Sequence, residues 1–467
     1  MSTLTRRRIL KTAGLLGAYG AAPFAMNLLP FNALAASTSG YRALVCVFLY
    51  GGMDCHDTVI PYDSASYNQY AAIRQTLLAD YNNLPGGSSR TIARLLQLNP
   101  TNAATFGGRQ FGLGEALAPV RDLFEAGNAA IVGNVGPLIE PLTRAEWQAK
   151  SARTPARLFS HNDQQSTWMA AAPEGARFGW GGRLADMAIA SNANADASFT
   201  AISLSGNVVY LVGQDAAAFS LGRGGPEDFN AIENSSYLGS ARLPVELSNL
   251  IQDPANTRAN LFERDVADVH RQSIDLNRNL SSALESQPAF ATAFPTDGLS
   301  QQLEIVARMI GARFTLGASR QIFFVSAGGY DTHSVQAASL TGRHAELAGG
   351  LRAFYDATVE LGVQNEVTSF TASDFGRTLA VNGDGSDHGW GGHHFVVGGA
   401  VNGQRIVGDM PPAALDHSQD SGNGRLIPTT SVEQLAASLA AWYGLTAAEI
   451  QSALPNIGNF PGPADLF

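Results

Sequence analysis

The sequence predicts an α/β fold, a three-layer sandwich with a mostly parallel central sheet. Near-continuous apolar runs such as 41–50 suit strands that are covered on both faces. These runs alternate with segments of helical periodicity, as expected for a parallel sheet with crossover helices. The chain has 467 residues, 45% of them hydrophobic, which is enough to bury a large core. We therefore expect one main domain over 36–467.

Each predicted element rests on its local pattern. The helix predicted over 115–126 ends at Gly127, and the apolar run 129–135 follows it as a strand. A Gly-, Pro-, Asn- and Ser-rich stretch followed by a long helical pattern predicts a helical insertion at about 222–298. In chain order, the other predicted strands are 41–50, two short pieces within 199–212, 321–326, 367–372 and a run from Phe395, and the other predicted helices are 71–81, 245–282, 299–318, 344–361 and 431–443.

The first 35 residues have the pattern of an export signal. TRRRILK at 5–11 resembles the twin-arginine signal, an apolar region interrupted by Pro23 and Pro30 follows, and Ala-Leu-Ala at 33–35 offers a cleavage site. A membrane anchor is the alternative, but the prolines and small residues favour cleavage. We therefore expect export through the twin-arginine translocase to a periplasmic or secreted location. No stable membrane span is expected after cleavage, because no later apolar run is long enough to cross a bilayer.

The charge balance excludes one class of partner. The segment 1–35 carries four of the 30 basic residues and no acid, so 26 basic and 40 acidic residues remain, a formal net charge of −14. Such an acidic protein is poorly suited to bind nucleic acid. The two cysteines, Cys46 and Cys55, are too far apart on an extended chain for a disulfide unless the loop folds back, so we expect free thiols.

Three apolar runs end in segments that carry Asp and His. They are VCVFLYGGMDCH at 45–56, QIFFVSAGGYDTH at 321–333 and SFTASDFGRTLAVNGDGSDHGWGGHHFVVGGAV at 369–401. Ligands of α/β proteins bind at the carboxyl ends of strands, where a rigid strand holds each side chain in place. The sequence therefore predicts a functional site at this edge of the sheet.

Several residues in these segments are candidate metal ligands. Asp331 and His333 are two apart on an extended stretch, so their side chains point the same way and can converge on a metal ion. Asp374 is either a ligand beside Asp331 or the N-cap of a short helix. Asp54 is either a ligand or a turn aspartate. Arg377 either clamps an oxyanion or pairs with an acid.

The remaining candidates lie in two polar segments. The loop 387–394 holds three histidines, of which we expect at least one to be a ligand, His388 first, whereas His393 or His394 could instead point into the core. Ser160 in FSHNDQQ is a candidate nucleophile at a helix N-terminus, where backbone N–H groups and the helix dipole favour a bound oxyanion. The alternative role of Ser160 is a plain N-cap.

Taken in order, several motifs resemble the DUF1501 family of bacterial secreted proteins. They are GGMD, FSHNDQQ, GGYDTH, SDFGRT and DHGWGGHHFVVGGAVNGQRIVG, and the resemblance extends to SVEQLAASLAAWYGL near the end of the chain. The family in turn looks related to the alkaline phosphatase and sulfatase superfamily. That resemblance implies an α/β fold with two divalent metal ions and a nucleophile derived from Ser, Thr or Cys.

The resemblance also implies roles by position. Asp331, His333 and His388 look like the residues that hold one metal ion, and Ser160 looks like the nucleophile. Asp54 and Asp374 look like the acids of a second metal site. That second site departs from the superfamily, which often has a histidine directly after the acid, whereas here Phe375 follows. The candidates for the missing imidazole are His56, His161 and His393.

The sequence as a whole favours an exported metal-dependent hydrolase of phosphate or sulfate esters, with Ser160 or a water molecule as the attacking group. The metal would be zinc, calcium, manganese or magnesium, and the substrate a small-molecule or envelope-polymer ester. The alternative is a non-catalytic protein that retains the fold and binds a metal or an envelope polymer. A third interpretation is an enzyme that acts on acyl groups of polysaccharides.

Overall fold

The computed structural model describes residues 39–84, 89–227, 229–252 and 260–467. The predicted export segment, 1–35, lies outside the described residues. The strands are β1 (Arg42–Leu49), β2 (Ile60–Pro61), β3 (Leu96–Gln97), β4 (Phe111–Leu113), β5 (Ala129–Gly136), β6 (Ala201–Ser203), β7 (Phe219–Ser220), β8 (Arg320–Ala327), β9 (Val367–Ser373), β10 (Arg377–Asn382), β11 (Gly385–His388), β12 (Gly392–Val397), β13 (Arg405–Gly408) and β14 (Thr430–Ser431).

The helices surround these strands in the sequence. They are α1 (Cys55–Thr58), α2 (Ser64–Ile73), α3 (Gln75–Asn83), α4 (Ala118–Glu125), α5 (Arg144–Ala149), α6 (His161–Ala170), α7 (Trp180–Ala190), α8 (Asn230–Glu233), α9 (Arg242–Gln252), α10 (Leu261–Glu285), α11 (Gly298–Gly311), α12 (Gln336–Glu360), α13 (Val432–Tyr443) and α14 (Ala447–Ala453). Short 3₁₀ turns lie at Ile92–Arg94, Ala103–Phe106, Glu115–Leu117, Ala197–Phe199, Val209–Leu211, Ala312–Phe314 and Ile457–Asn459.

Nine of the described strands form one large sheet in the order β13-β5-β12-β9-β1-β8-β6-β7, with β14 paired to β5. All of their pairings are parallel except those of β12, which runs antiparallel to both β5 and β9. The predicted mixed α/β fold with a mostly parallel central sheet is therefore confirmed. Strand β1 lies between β8 and β9, so the three segments that carry Asp and His motifs follow neighbouring strands.

Alternate side chains of β1 enter two separate cores. Ala43, Val45 and Val47 belong to one apolar cluster, which includes residues of α4, α10, α11 and α12. Leu44 and Cys46 belong to the other, which includes residues of α6, α7 and α13. Helices thus cover both faces of the sheet, which explains why its strands are almost continuously apolar. Cys46 and Cys55 are buried free thiols, as expected.

Two predictions about elements differ from the structure, and a third is described only in part. The helix predicted over 71–81 is two helices, α2 and α3, that meet at Arg74, where the backbone leaves the helical conformation (φ −100°, ψ +23°). The helical region predicted over 245–282 contains α9 and α10 within its described residues. The segment predicted as a glycine-rich loop contains the antiparallel β10–β11 hairpin, which places Arg377 opposite His388.

The predicted insertion at about 222–298 contains α8, α9 and α10. The last turns of α10 join the core through Leu280, Ala283 and Leu284, whereas Leu261 and Phe262 at its start are exposed. Among the described helices, none is both long and apolar enough to cross a membrane.

Candidate functional site

The candidate site lies where β1, β8 and β9 end at one edge of the sheet. The strands pair in register, with Leu49 opposite both Ala327 and Ser373. Gly51 has a φ of +116°, and a Cβ at this position would overlap the backbone nitrogen of Asp331. Glycine is therefore required there, because its missing side chain lets the loops after β1 and β8 pack directly together.

Asp331 lies among three imidazoles, those of His161, His333 and His388, and we call these four residues the imidazole cluster. Asp331 Oδ1 is 3.1 Å from His333 Nε2 and 3.4 Å from His388 Nε2, and Asp331 Oδ2 is 3.5 Å from His161 Nε2. The Nε2 atoms of His333 and His388 are 2.9 Å apart. The structure thus brings together four of the predicted metal ligands, and ligand atoms of three of them all lie within 4.8 Å of one another.

Each imidazole of the cluster is held through its Nδ1 atom by a fixed acceptor. Because the partner in each case is a carboxylate or carbonyl oxygen, Nδ1 carries a proton and donates it. In a neutral ring, Nε2 is then unprotonated and offers a lone pair. Such an acceptor on the second nitrogen is the usual support of a metal-bound histidine. The three bonds join His161 to Asp374 Oδ2 (2.5 Å), His333 to Asp387 Oδ1 (3.2 Å) and His388 to the carbonyl of Phe159 (2.8 Å).

This arrangement calls for a positive charge among the Nε2 atoms. Two unprotonated nitrogens 2.9 Å apart, both beside a carboxylate oxygen, repel each other unless a proton or a metal ion lies between them. With all three rings neutral, the carboxylates of Asp331, Asp374 and Asp387 outnumber the single guanidinium of Arg377 by a formal two negative charges. The hydrogen bond to Asp374 accordingly raises the pKa of His161. A divalent cation would balance that surplus, and imidazole and carboxylate are ligands that it accepts. The residues present therefore fit a metal ion.

Arg377 is buried and holds Asp331 in place. Its Nη1 donates to Asp331 Oδ1 at 3.1 Å and to the Gly51 carbonyl at 2.8 Å, while its Nε and Nη2 donate to Ser386. Burial alone raises the pKa of Asp331, but the hydrogen bond and charge of Arg377, with smaller contributions from two imidazoles, lower it overall. Asp331 is therefore ionised at neutral pH. Of the two roles predicted for Arg377, pairing with an acid is the one seen.

Asp374 is fully buried and supports the cluster with one oxygen. Its Oδ2 contacts His161 and also accepts from Gln165 Nε2 at 2.8 Å. Its Oδ1 is buried and has no hydrogen-bond partner in the part of the chain that the structure describes, a costly state for a carboxylate oxygen that a cation would relieve. The next residue, Phe375, packs its ring against His161 and His388 at centroid distances of 4.8 and 4.6 Å.

Ser160 occupies the N-cap position of α6, directly before His161. Its hydroxyl makes no capping bond and instead donates to Asp163 Oδ2 at 2.9 Å. Asp163 is 4% exposed and also accepts the backbone N–H of Glu174 at 3.3 Å. A carboxylate thus lies within reach of the Ser160 proton, while no hydrogen bond joins Ser160 to the imidazole cluster among the described residues.

Asp54 has a different set of partners from those expected of a metal ligand. Its carboxylate pairs with Arg74 at 2.6 and 3.1 Å, accepts from Gln336 Nε2 at 2.7 Å, and caps α1 through the backbone N–H of His56. Burial alone raises the pKa of Asp54, but Arg74 lowers it overall. Because these partners take both oxygens, the structure does not bring Asp54 to the imidazole cluster.

His393, another predicted ligand, belongs to the sheet. It lies in β12, and its Nδ1 accepts the backbone N–H of Asn134 at 3.0 Å. Burial lowers the pKa of His393 to about 4 and that of His394 to about 3, so both rings are neutral. His394 packs against Trp168 at a centroid distance of 5.1 Å. Both histidines therefore point into the core, the role predicted for one of them.

Three residues that support the cluster had no role assigned from the sequence. Phe159 has a φ of +71°, which is rare for phenylalanine, and no sequence signal indicates it. Gln165 lies one helical turn after His161, so the spacing in FSHNDQQ could have located it. Asp387 belongs to β11, and only the unpredicted hairpin brings it to His333.

Comparisons with known proteins identify the family. A family model described as "Protein of unknown function (DUF1501)" matches residues 41–448. No curated protein matches the chain. Two solved structures, of Ps i-CgsB alone and in complex with k-i-k-neocarrahexaose, are weakly similar, at 11% and 12% identity. Each comparison covers 90% of this chain and 77% of the other, with a TM-score of 0.34. Because the family model matches residues 41–448, this chain belongs to the DUF1501 family.

Proposed function

We propose that the protein is a metal-dependent hydrolase of phosphate or sulfate esters, with a fold of the alkaline phosphatase and sulfatase type. The observation that carries the proposal is the convergence of three Nε2 atoms on the Asp331 carboxylate, with each Nδ1 held by an acceptor. Side chains oriented in this way suit metal binding, and a metal in a cleft suits ester hydrolysis.

The residues that would hold the metal are His161, His333, His388 and Asp331. When bound, a divalent metal supplies Lewis-acid chemistry, which stabilises negative charge on the ester oxygens. Three imidazoles and one carboxylate favour zinc over calcium or magnesium, which prefer oxygen ligands. The sequence alone leaves zinc, calcium, manganese and magnesium open, and the proposed ligand set narrows that choice because it includes His161 and omits Asp54.

Other side chains prepare the site. Asp374, Asp387 and the carbonyl of Phe159 keep the three imidazoles in the tautomer that presents Nε2. Arg377 keeps Asp331 ionised and fixed. Phe375 packs its ring against the rings of His161 and His388.

The attacking group is either Ser160 or a water molecule. Asp163 Oδ2 lies 2.9 Å from the Ser160 hydroxyl and could accept its proton. If Ser160 attacks, Ser160→Ala should abolish turnover while the metal content stays unchanged. If water attacks, the same variant should keep much of its activity.

The decisive experiment measures metal content and ester turnover together. Protein exported by its own signal is assayed on phosphate monoesters and diesters and on sulfate esters, with acetyl esters included for the third interpretation. His388→Ala should lose metal and turnover together, whereas His270→Ala, which replaces an exposed imidazole on α10, should lose neither. Metal-loaded protein that hydrolyses none of these esters would overturn the hydrolase proposal.

One observation favours the alternative, a non-catalytic metal- or envelope-polymer-binding protein. All three guanidinium nitrogens of Arg377 already have partners, so Arg377 does not present the oxyanion clamp that the sequence suggested. Retained metal without ester turnover would support this alternative.

The proposed location is the periplasm or the exterior of the cell, reached through the twin-arginine translocase. The support is the TRRRILK segment at 5–11 and the cleavage pattern at 33–35. Replacement of both Arg6 and Arg7 by Lys should leave the precursor in the cytoplasm, and normal export of that variant would indicate another route.

A further inference from the structure

A polar cavity adjoins the imidazole cluster. Its volume is about 290 Å³, at the small end of the range for ligand pockets. Gln165 lines the cavity and also donates to Asp374, the carboxylate that holds His161. Tyr50, which directly follows β1, lines it as well. Cavity and cluster are thus linked through two side chains, Gln165 and Asp374, and Asn162, which also lines the cavity, directly follows His161 in the chain.

The side chains that line this cavity are poorly suited to an anion. Tyr50, Asn162, Gln165 and Asn207 are polar and uncharged, Glu174 is acidic, and no Lys, Arg or His is among the described lining residues. A phosphate or sulfate placed here would face the Glu174 carboxylate with no cation to balance it. The anionic part of an ester would therefore be bound elsewhere.

Much of the hydrogen-bonding capacity of the cavity is unused within the protein. Asn162, Glu174 and Asn207 are exposed and Tyr50 is half-buried, and their side chains make no hydrogen bond to other described residues, so a ligand can reach these groups. Burial raises the pKa of Tyr50, with contributions from Cys46 and Asp374, so its hydroxyl remains a donor. Amides both donate and accept, and a carboxylate accepts from two hydroxyls at once. This mixture complements a group that carries several hydroxyls.

We propose that the cavity binds the uncharged, hydroxyl-rich part of the substrate, a glycosyl or polyol group, while the imidazole cluster binds the ester's anionic group. This assignment rests on the proposed function. The substrate class is then a phosphate or sulfate ester of a sugar or polyol. In the reaction, the bond from phosphorus or sulfur to the ester oxygen breaks, the bond to the attacking oxygen forms, and water supplies the proton that the released alcohol carries.

The kinetic test compares esters of one acid with different alcohols. Metal-loaded full-length protein is assayed on glucose 6-phosphate and 4-nitrophenyl phosphate, and on the corresponding sulfates. Asn207→Ala removes one cavity hydrogen-bonding group, so kcat/KM for the glucose ester should fall about tenfold while that for the aryl ester is unchanged. The matched control is Asn68→Ala, an exposed asparagine on α2, which should change neither. Equal effects of Asn207→Ala on both esters would overturn the assignment.

A binding test that needs no turnover separates this inference from the proposed function. Saturation-transfer NMR is run with a panel of neutral hexoses and hexitols on wild type, Asn207→Ala and Glu174→Lys, with and without chelator. At least one sugar should bind, the signal should survive metal removal, and both variants should weaken it. No binding of any panel member would overturn the cavity assignment even if aryl phosphate is hydrolysed. Sugar binding by protein that hydrolyses no ester would support the cavity and overturn the hydrolase proposal.

Discussion

The loops after β1 and β8 carry the same sequence pattern and have different roles. Both read Gly-Gly-x-Asp-x-His, at 51–56 and 328–333, and both follow central strands that pair in register. Yet Asp54 is 0% exposed, whereas the Asp331 side chain is 45% exposed. Identical residues at equivalent strand ends thus serve as internal scaffold in one loop and as candidate metal ligands in the other.

The difference lies in what each aspartate meets. Asp54 meets Arg74, and Asp57 three residues later meets Arg90; all four side chains are 0% exposed, and we call them the buried ion-pair cluster. Asp331 also meets an arginine, but the accessible side of its carboxylate faces imidazoles. An aspartate at a strand end can therefore serve as a metal ligand only where its protein partners leave one of its oxygens accessible.

The largest expected effect comes from breaking the buried ion-pair cluster. Asp54→Ala leaves the Arg74 guanidinium buried without its main partner, and such a change costs about 3–5 kcal/mol. The free energy of unfolding, measured in urea, should fall by this amount. The matched control is Glu115→Ala, which breaks an exposed pair with Arg94 and should cost less than about 1 kcal/mol. Similar losses for the two variants would contradict the scaffold role of Asp54.

Replacing Asp331, the counterpart of Asp54 in the imidazole cluster, should affect metal binding more than the stability of the fold. Asp331→Asn keeps an oxygen that accepts from Arg377 but removes the charge among the Nε2 atoms. Metal affinity, measured by competition with a chelator, should fall more than about 100-fold, because changes to supporting residues alone cost about 10–100-fold. The free energy of unfolding of the metal-free protein should change less than in Asp54→Ala, because Arg377 keeps its bonds to Gly51 and Ser386. Asp384→Asn, at an exposed turn position, is the control; unchanged affinity in Asp331→Asn would remove Asp331 from the site.

The long central strands of the sheet and the site residues after β8 could be predicted from the sequence. Strands β1, β5, β8 and β9 are long apolar runs, so their pattern is unambiguous, and parallel pairing then brings the ends of β1, β8 and β9 together. Asp331 and His333 were identifiable because they follow such a strand at short spacing, and His388 because the segment 387–394 holds three histidines.

The role of Asp54 could not be predicted in the same way. Its partner Arg74 comes 20 residues later, in a segment whose pattern indicates only a helix, and no spacing rule joins the two. The carbonyl of Phe159 reaches His388 through a left-handed backbone conformation that the sequence does not encode visibly. Local patterns identify the side chains of a site, whereas its supports depend on tertiary contacts.

A smaller effect on metal affinity is expected from removing the acceptor that supports one imidazole. Asp387→Ala removes the acceptor of His333 Nδ1, so that ring can rotate or change tautomer. Metal affinity should fall by about 10–100-fold, less than in Asp331→Asn, and the same chelator competition measures it. Asp356→Ala, which breaks an exposed pair with Arg352 on α12, is the control. Full affinity in Asp387→Ala would mean that His333 is not a ligand.

The smallest expected effect concerns His344, which is buried beside the ion-pair cluster. Its Nδ1 is 3.8 Å from Asp57 Oδ2, and neither ring nitrogen has a hydrogen-bond partner in the described ranges. Burial lowers the pKa of His344 to about 4, although Asp57 partly opposes this, and Arg90 on the same carboxylate lowers it further. The ring is therefore neutral in the folded protein well below pH 6.

The sign of the pH effect follows from this shift. The unfolded chain binds a proton at His344 near pH 6.5 and the folded chain only near pH 4, so between these values the unfolded state holds more protons. The stability that the neutral ring contributes is retained above about pH 6.5 and is lost as the pH falls toward 4.

The variant His344→Leu tests this effect, because leucine has no proton to bind. Between pH 7 and pH 5, the free energy of unfolding of this variant should fall by about 2 kcal/mol less than that of the wild type. Urea unfolding with chelator present measures this difference without the pH dependence of metal binding. His270→Leu, an exposed replacement on α10, should follow the wild-type curve. If His344→Leu also follows the wild-type curve, the buried ring binds its proton as readily in the folded state as in the unfolded state.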